Sequence, residues 1–177
     1  MKILLHTCCA PCSIKCIETL RKEGEVHLFW YNPNIHPYTE YAARRDALRA
    51  YAEDKGLPLT EHGEYGLNSY LNKVWPDIDS RCAACYKMRL EATAEYAAQN
   101  GYDTFSTTLL ISPYQDHNLI ITTAEQAAEK YKVPFLYRDF RPYFRQGQQE
   151  ARALGLYMQK YCGCIFSEQS RYVKSGG

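Results

Sequence analysis

The sequence predicts one α/β domain, a mostly parallel sheet flanked by helices. Two observations carry this: short apolar runs alternate with stretches of helical period, and glycine or proline marks most boundaries between them. No repeat, low-complexity tract or long linker interrupts the 177 residues, a length that suits a single domain with a sizeable core. Residues 1–177 therefore read as one unit, with 170–177 expected to be a frayed tail.

Ile3–His6 is a short apolar run expected as a buried strand. Pro11 suits the first turn of a helix whose stripe is Ile14, Ile17 and Leu20, closed by Gly24. Val26–Tyr31 reads as a second strand before the turn-forming Asn32-Pro33-Asn34. Tyr38–Lys55 is an amphipathic helix ending at Gly56, and Leu57–Glu61 a short third strand. Tyr65–Val74 and Cys82–Asn100 are expected helical, the latter stopped by Gly101; Asp103–Thr107 is expected as a strand. Ser112, Pro113 and Gln115 spell an N-cap, a first-turn proline and a capping-box partner for a helix reaching about Lys132. Phe135–Tyr137 closes the series as a last short strand. In parallel sheets ligands bind beyond the carboxyl ends of the strands, where strand order reverses. The turn after the first strand is such a place.

Composition excludes several function classes. With 21 basic and 20 acidic side chains the net charge is +1, so bulk positive charge cannot hold a nucleic acid. The balance conceals an asymmetry: residues 1–130 carry 13 basic and 17 acidic groups, residues 131–177 carry 8 and 3. A hydrophobic fraction of 46% argues against disorder. The N-terminal apolar run, Ile3–Leu5, is too short for a signal-peptide core, and no stretch is long enough to span a membrane. The chain is expected to be cytoplasmic, where thiols stay reduced.

Eight cysteines then need another explanation than disulfides. Cys8, Cys9 and Cys12 occupy the first strand-to-helix turn. Cys82 and Cys85 begin a later helix, and Cys162 and Cys164 flank a glycine. A helix N-terminus favours thiolate, the form that binds metal or attacks. Three groups about eighty residues apart share a purpose only in a folded site, and seven thiols exceed the four that a structural zinc takes. Cys8, Cys9, Cys82 and Cys85 could hold a cubane cluster, leaving Cys12, Cys162 and Cys164 for a second metal, a redox pair or the reaction itself. Cys16, one turn after Cys12 beside the apolar stripe, reads as a core thiol. Thiols stand where an ATP-dependent enzyme would need a Gly- and Ser-rich phosphate loop, so nucleotide activation is not expected. The Cys-Cys pair also spoils a thioredoxin-like motif.

Around these thiols, Arg138, Arg141 and Arg145 alternate with Phe140, Tyr143 and Phe144, a pattern suited to phosphates and stacked bases, though equally to a solvated face over core aromatics. Asn32 and Asn34 could read a heterocycle or ribose and Arg44 a phosphate, with Tyr41 beside them; a plain turn and helix cap is the alternative. Tyr114 and Gln115 belong to the segment expected to face the first cysteine turn. Asp116 and His117 are a candidate acid or metal-ligand pair, unless Asp116 merely caps a helix. His27 and His62 are expected to be structural.

His6-Thr7-Cys8-Cys9-Ala10-Pro11-Cys12, Tyr31–Pro37, Arg81-Cys82-Ala83-Ala84-Cys85-Tyr86, Thr107–Asp116 and Tyr161-Cys162-Gly163-Cys164 together resemble epoxyqueuosine reductases of the QueH type, from Leu5 to about Ser167. The resemblance implies a Rossmann-like fold similar to the nucleotide-binding units of tRNA-thiolation enzymes. It also implies a cobalamin-independent iron–sulfur enzyme acting on epoxyqueuosine in a tRNA anticodon loop. The family's cysteine motifs map onto the seven clustered thiols.

That chemistry suits the thiols. A 4Fe–4S cluster on Cys8, Cys9, Cys82 and Cys85 would deliver electrons, and a second mononuclear iron would hold the departing epoxide oxygen. Cys162, Cys164 or Cys12 with Asp116 would bind that iron or form a redox pair; Cys12 and Asp116 are the candidate catalytic groups. No nicotinamide or flavin fingerprint names the electron donor. Competing expectations are a zinc-stabilised RNA-binding module and a thiol–disulfide reductase using Cys162 and Cys164.

Overall fold

The computed structural model describes residues 1–173. β1 (Lys2–His6), β2 (Glu25–Trp30), β3 (Leu59–Glu61) and β4 (Thr104–Thr107) form a sheet in the order β3-β2-β1-β4, with every pair parallel. Helices α1 (Ala10–Leu20), α2 (Tyr38–Asp54), α3 (Leu67–Val74), α4 (Arg81–Gln99), α5 (His117–Tyr131), α6 (Phe144–Ala153) and α7 (Ile165–Tyr172) complete the chain. Central β1 buries Ile3, Leu4 and Leu5 completely, as a parallel strand covered on both faces must.

Strand order reverses at β1: β2 and β3 lie on one side and β4 on the other. The crevice beyond the paired ends His6 and Thr107 is therefore the topological switch point, and Cys8 and Cys9 lie on it. α6 packs on α1 through its buried Gly147 and Ala151. A Cβ at Gly147 would sit 3.4 Å from Lys15 Cγ, so the two helices approach closely.

Several expected boundaries move, each for a local reason. α5 starts at His117, not at Ser112, because the Asp116 carboxylate accepts the Leu119 N–H at 3.0 Å and takes the cap. Residues Thr108–Ile111 form a short 3₁₀ helix, and the 112–116 segment stays a turn. α3 begins at Leu67, after Gly66, where a Cβ would meet the Cβ of Pro33 at 2.4 Å. Phe135–Tyr137 is not a strand: Phe135 makes a single bridge to Phe105, and Pro134 has no N–H to extend the ladder. The expected frayed tail is helical through Tyr172; residues 174–177 lie outside the described residues.

Candidate metal centre

His6 ends β1 and forms the floor of the site. Its Nε2 faces the Tyr31 carbonyl at 3.2 Å, which can only accept, so Nε2 carries the proton and Nδ1 accepts from the Thr107 hydroxyl at 2.9 Å. Burial, with Arg89 nearby, lowers its pKa to about 4, so the ring is neutral at physiological pH and ties β1, β2 and β4 together. Asn32 donates to the Thr7 carbonyl at 2.9 Å and fixes the next residue.

The chain then turns into α1, with Cys9 as N-cap and Pro11 in the first turn. Cys8, Cys9 and Cys12 are buried, and their sulfurs all lie within 4.8 Å of one another. Thr108 accepts the Cys8 N–H at 3.2 Å and donates to its sulfur at 3.4 Å. Hydrogen bonds from Cys12, Cys9 and Thr108 hold the Cys8 thiol well below its ordinary pKa. Burial pushes Cys9 up, and sharing its proton with Cys8 pushes Cys12 up. Cys16 is fully buried, bonded to the Cys12 carbonyl at 3.3 Å, a core thiol as expected.

The other four thiols converge from α4 and the loop before α7. Cys82 and Cys162 are exposed, Cys85 and Cys164 buried. Burial raises Cys85 to about 12, and Cys162, Cys164 and Cys82 add repulsion. Burial opposes a Cys164 thiolate, but hydrogen bonds from Ser167 and Tyr70 bring its pKa below the ordinary value. Cys12, which the sequence leaves for a second metal, a redox pair or the reaction itself, lies with Cys8 and Cys9.

Arg89, which the sequence reading missed, lies between the two groups. It is 1% exposed, has no carboxylate partner among the described residues, and its Nη2 makes no hydrogen bond. Burial opposes its charge, yet Cys85, Cys162 and Cys8 around it keep its pKa above the ordinary value. Its position, four residues after Cys85 on the buried face of α4, was the available signal. Gln159, also missed, donates to Cys9 Sγ at 2.9 Å and Cys12 Sγ at 3.5 Å, and its buried Oε1 is unpartnered.

A buried guanidinium costs several kcal/mol unless an anion faces it. Thiols that can ionise around Arg89, those of Cys85, Cys162 and Cys8, therefore fit a thiolate-bound metal centre of negative charge. A model of the family described as "Epoxyqueuosine reductase QueH" matches residues 3–170. The chain belongs to the QueH family, and with it to the oxidoreductases. A QueH relative from Dehalococcoides mccartyi is 40% identical over 98% of this chain and 96% of its own length. One from Thermotoga maritima is 36% identical over 97% and 93% respectively. A solved structure from Methanocaldococcus jannaschii, described as a predicted subunit of tRNA methyltransferase, shares the fold with a TM-score of 0.58 at 13% identity, covering 86% of this chain and 74% of that one. No helix among the described residues is long and apolar enough to cross a membrane.

Within this QueH chain several expected substrate contacts have other work. Arg44 is buried: it pairs with Glu40 at 2.7 Å and donates to the Cys162 and Tyr161 carbonyls at 2.8 and 2.9 Å, so it holds the cysteine loop. Tyr41 accepts from Trp30 Nε1 at 3.2 Å inside the core. Asn34 is buried beside Gly163, and the Asn32 amide N–H is committed to the Thr7 carbonyl; the Oδ1 of each is unpartnered. His36 completes the clamp, donating its N–H to the Gly163 carbonyl at 2.8 Å and accepting from Ile165 N at Nδ1. Gly163 has φ of +150°, and a Cβ there would press on Ile35, Asn34 and Arg44 at 3.2–3.4 Å. Arg138 is paired with Glu23 and Arg141 with Asp139 at 2.8 Å. Arg145 has no such partner among the described residues, and Tyr114 is 86% exposed. Gln115 comes to 3.9 Å from Cys162 Sγ, and its neighbour Asp116 caps α5. His27 bonds Thr60 and Tyr102, and His62 packs between Phe29 and Tyr31, both structural.

Proposed function

We propose that this cytoplasmic chain reduces epoxyqueuosine to queuosine in the anticodon loop of tRNA. The epoxide takes two electrons and two protons, both C–O bonds break, and the oxygen leaves as water while an alkene forms; the electrons come from an external donor. The single observation that supports a metal-centred route is Arg89, a buried guanidinium with an unpartnered Nη2 and no carboxylate partner among the described residues, set among cysteine sulfurs of both groups.

Cys8, Cys9, Cys82 and Cys85 are the proposed ligands of a 4Fe–4S cluster, and Cys162, Cys164 and Asp116 those of a second iron. Cys12, grouped with Cys8 and Cys9, is assigned to the cluster side. Asp116 keeps its cap through one oxygen, which leaves the other for a metal. When bound, the cluster supplies electrons singly and the second iron polarises the departing oxygen. The chain's own residues do the rest. Arg89 offsets the negative charge of the centre. Gln159 aligns the Cys9 and Cys12 sulfurs through its amide N–H, and its free Oε1 is placed to accept a substrate hydroxyl or N–H. Burial of the triad excludes water that would otherwise open the epoxide.

Anaerobic incubation of the iron-loaded protein with epoxyqueuosine-tRNA and a strong reductant tests this reading by nucleoside mass analysis. Loss of one oxygen from the nucleoside is expected. Unchanged nucleoside sinks it, and activity that survives strict iron removal transfers the reaction to the thiols alone. Cys82→Ala with Cys85→Ala should abolish the Mössbauer signature of the cluster; Cys162→Ala should remove only the second iron environment. A protein that binds zinc and never iron would make the RNA-binding module the better account.

A further inference from the structure

A cavity of about 980 Å³ lies between the Pro113-Tyr114 turn, the outer face of α6 and the loop carrying Gln159. Four of its lining cations, Arg145, Arg152, Lys160 and Arg171, have no carboxylate partner among the described residues, and no carboxylate lines the cavity. This is unusual in a chain whose other arginines are mostly paired: Arg44, Arg45, Arg49, Arg138 and Arg141 all face an acid.

The sequence produces the surface in a simple way. On α6, Arg145, Gln148, Gln149 and Arg152 recur at helical spacing on one face, while Gly147 and Ala151 bury the other against α1. Seven residues of helix separate the two arginines by about 10 Å, so they can meet different phosphates of one strand. Because α1 begins at the thiol triad, the packing that turns this face outward also fixes it relative to the metal centre. Gln159 joins the two: it lines the cavity and lies 2.9 Å from Cys9 Sγ.

We propose that this groove is the docking track for the phosphodiester backbone of an RNA strand, with Tyr114 as a stacking platform at its rim. The assignment rests on the tRNA reading above and names the surface that serves it. Four unpaired cations answer phosphates. Tyr114, 86% exposed and braced edge-on against Phe144 with centroids 5.8 Å apart, offers a ring face to a base. Gln148 and Gln149 offer amides to base edges. An acidic protein would use the cations but has no use for the platform. A strand in this track has its inner end at Gln159, one side chain from the triad, so a base turned out of the loop enters the metal centre directly.

The test uses the full-length, iron-loaded protein and a fluorescent anticodon stem-loop carrying unmodified guanine, so that binding is read without chemistry. With four phosphates engaged, the slope of log affinity against log salt concentration is expected near about −3. Arg145→Gln with Arg152→Gln should weaken binding at least tenfold and flatten the slope by about 1.4, at unchanged iron content and melting temperature. Tyr114→Ala should weaken binding several-fold and leave the slope alone. Arg138→Gln, whose charge Glu23 already neutralises, should stay within twofold of wild type. Wild-type affinity and slope in the double variant overturn the proposal. So does equal displacement by poly-glutamate together with no effect of Tyr114→Ala, which would make the groove a site for an acidic protein. If the wild type binds the stem-loop through this groove but leaves epoxyqueuosine intact, the groove stands and the reductase reading falls. If reduction proceeds while the double variant binds normally, the reverse holds.

Discussion

The two thiol groups are held in place by different physics. Cys8, Cys9 and Cys12 hang on the sheet: β1 delivers them to the switch point, the α1 N-terminus shapes the turn, and hydrogen bonds from β4 and the following 3₁₀ helix complete the frame. Cys162 and Cys164 belong to a loop with no ladder of its own. They are held by Arg44 and His36, which reach across more than a hundred residues of sequence to satisfy the carbonyls of Tyr161, Cys162 and Gly163. The first group is fixed by regular structure and degrades gradually under mutation. The second depends on a few buried polar contacts and should fail abruptly.

The largest effect is therefore expected at Arg44. Replacement by Leu fills the space but leaves Glu40 without its buried partner and two loop carbonyls without donors. Breaking such a buried pair costs about 3–5 kcal/mol. Arg44→Lys should recover only part of this, because one ammonium cannot serve Glu40 and both carbonyls in the planar geometry of the guanidinium. Denaturant unfolding measures the loss. Iron analysis separates the two groups: the second iron proposed at Cys162 should go while the proposed cluster stays. Loss of both irons in equal measure, with stability unchanged, would show that the loop is not held this way.

The same contrast explains what was legible in the sequence. The first thiol group could be read locally, since Ile3–His6 must be a strand, Pro11 must open a helix, and the thiols fall between them. Asn32, Asn34, Tyr41 and Arg44 suit substrate contact or framework equally by composition; only the position of Cys162, far along the chain, shows that the arginine clamps that loop. Ser112-Pro113 spelled a helix start that Asp116 took instead, since local capping patterns compete and the tertiary fit decides. The basic C-terminal third was visible as net charge. Which arginines are neutralised was not, because Glu23 and Asp139 reach Arg138 and Arg141 through pairings, one local and one distant, that composition does not reveal.

On the sheet-borne side the sharpest single contact is Thr108. Thr108→Val keeps the shape, removes the acceptor of the Cys8 N–H and removes a donor to its sulfur. An unsatisfied buried N–H costs about 1–3 kcal/mol. Stability should fall by about 2 kcal/mol with the fold and metal-binding capacity retained, since β1 and α1 still position the triad. Thr108→Ser should restore most of it. A loss as large as that of Arg44→Leu would remove the distinction between the two groups.

Arg89 touches both groups and therefore tests whether they form one electrostatic unit. At an effective dielectric of about 20 and a separation of about 8 Å, one charge is worth about 2 kcal/mol to a neighbouring electron. Reduction adds negative charge, so the guanidinium stabilises the reduced state, and Arg89→Gln should move the reduction potential downward. A tenfold fall in the reduced-to-oxidised ratio at fixed potential corresponds to about 59 mV for one electron. The iron-free protein should respond with the opposite sign, because its buried cation has no carboxylate partner and the amide relieves that cost. Potentiometric titration of the loaded protein and thermal unfolding of the iron-free protein read the two effects separately. A role confined to packing predicts destabilisation in both states and no change in potential. Arg89→Lys discriminates further: it keeps the charge and should hold the potential near that of wild type, even where its geometry costs stability.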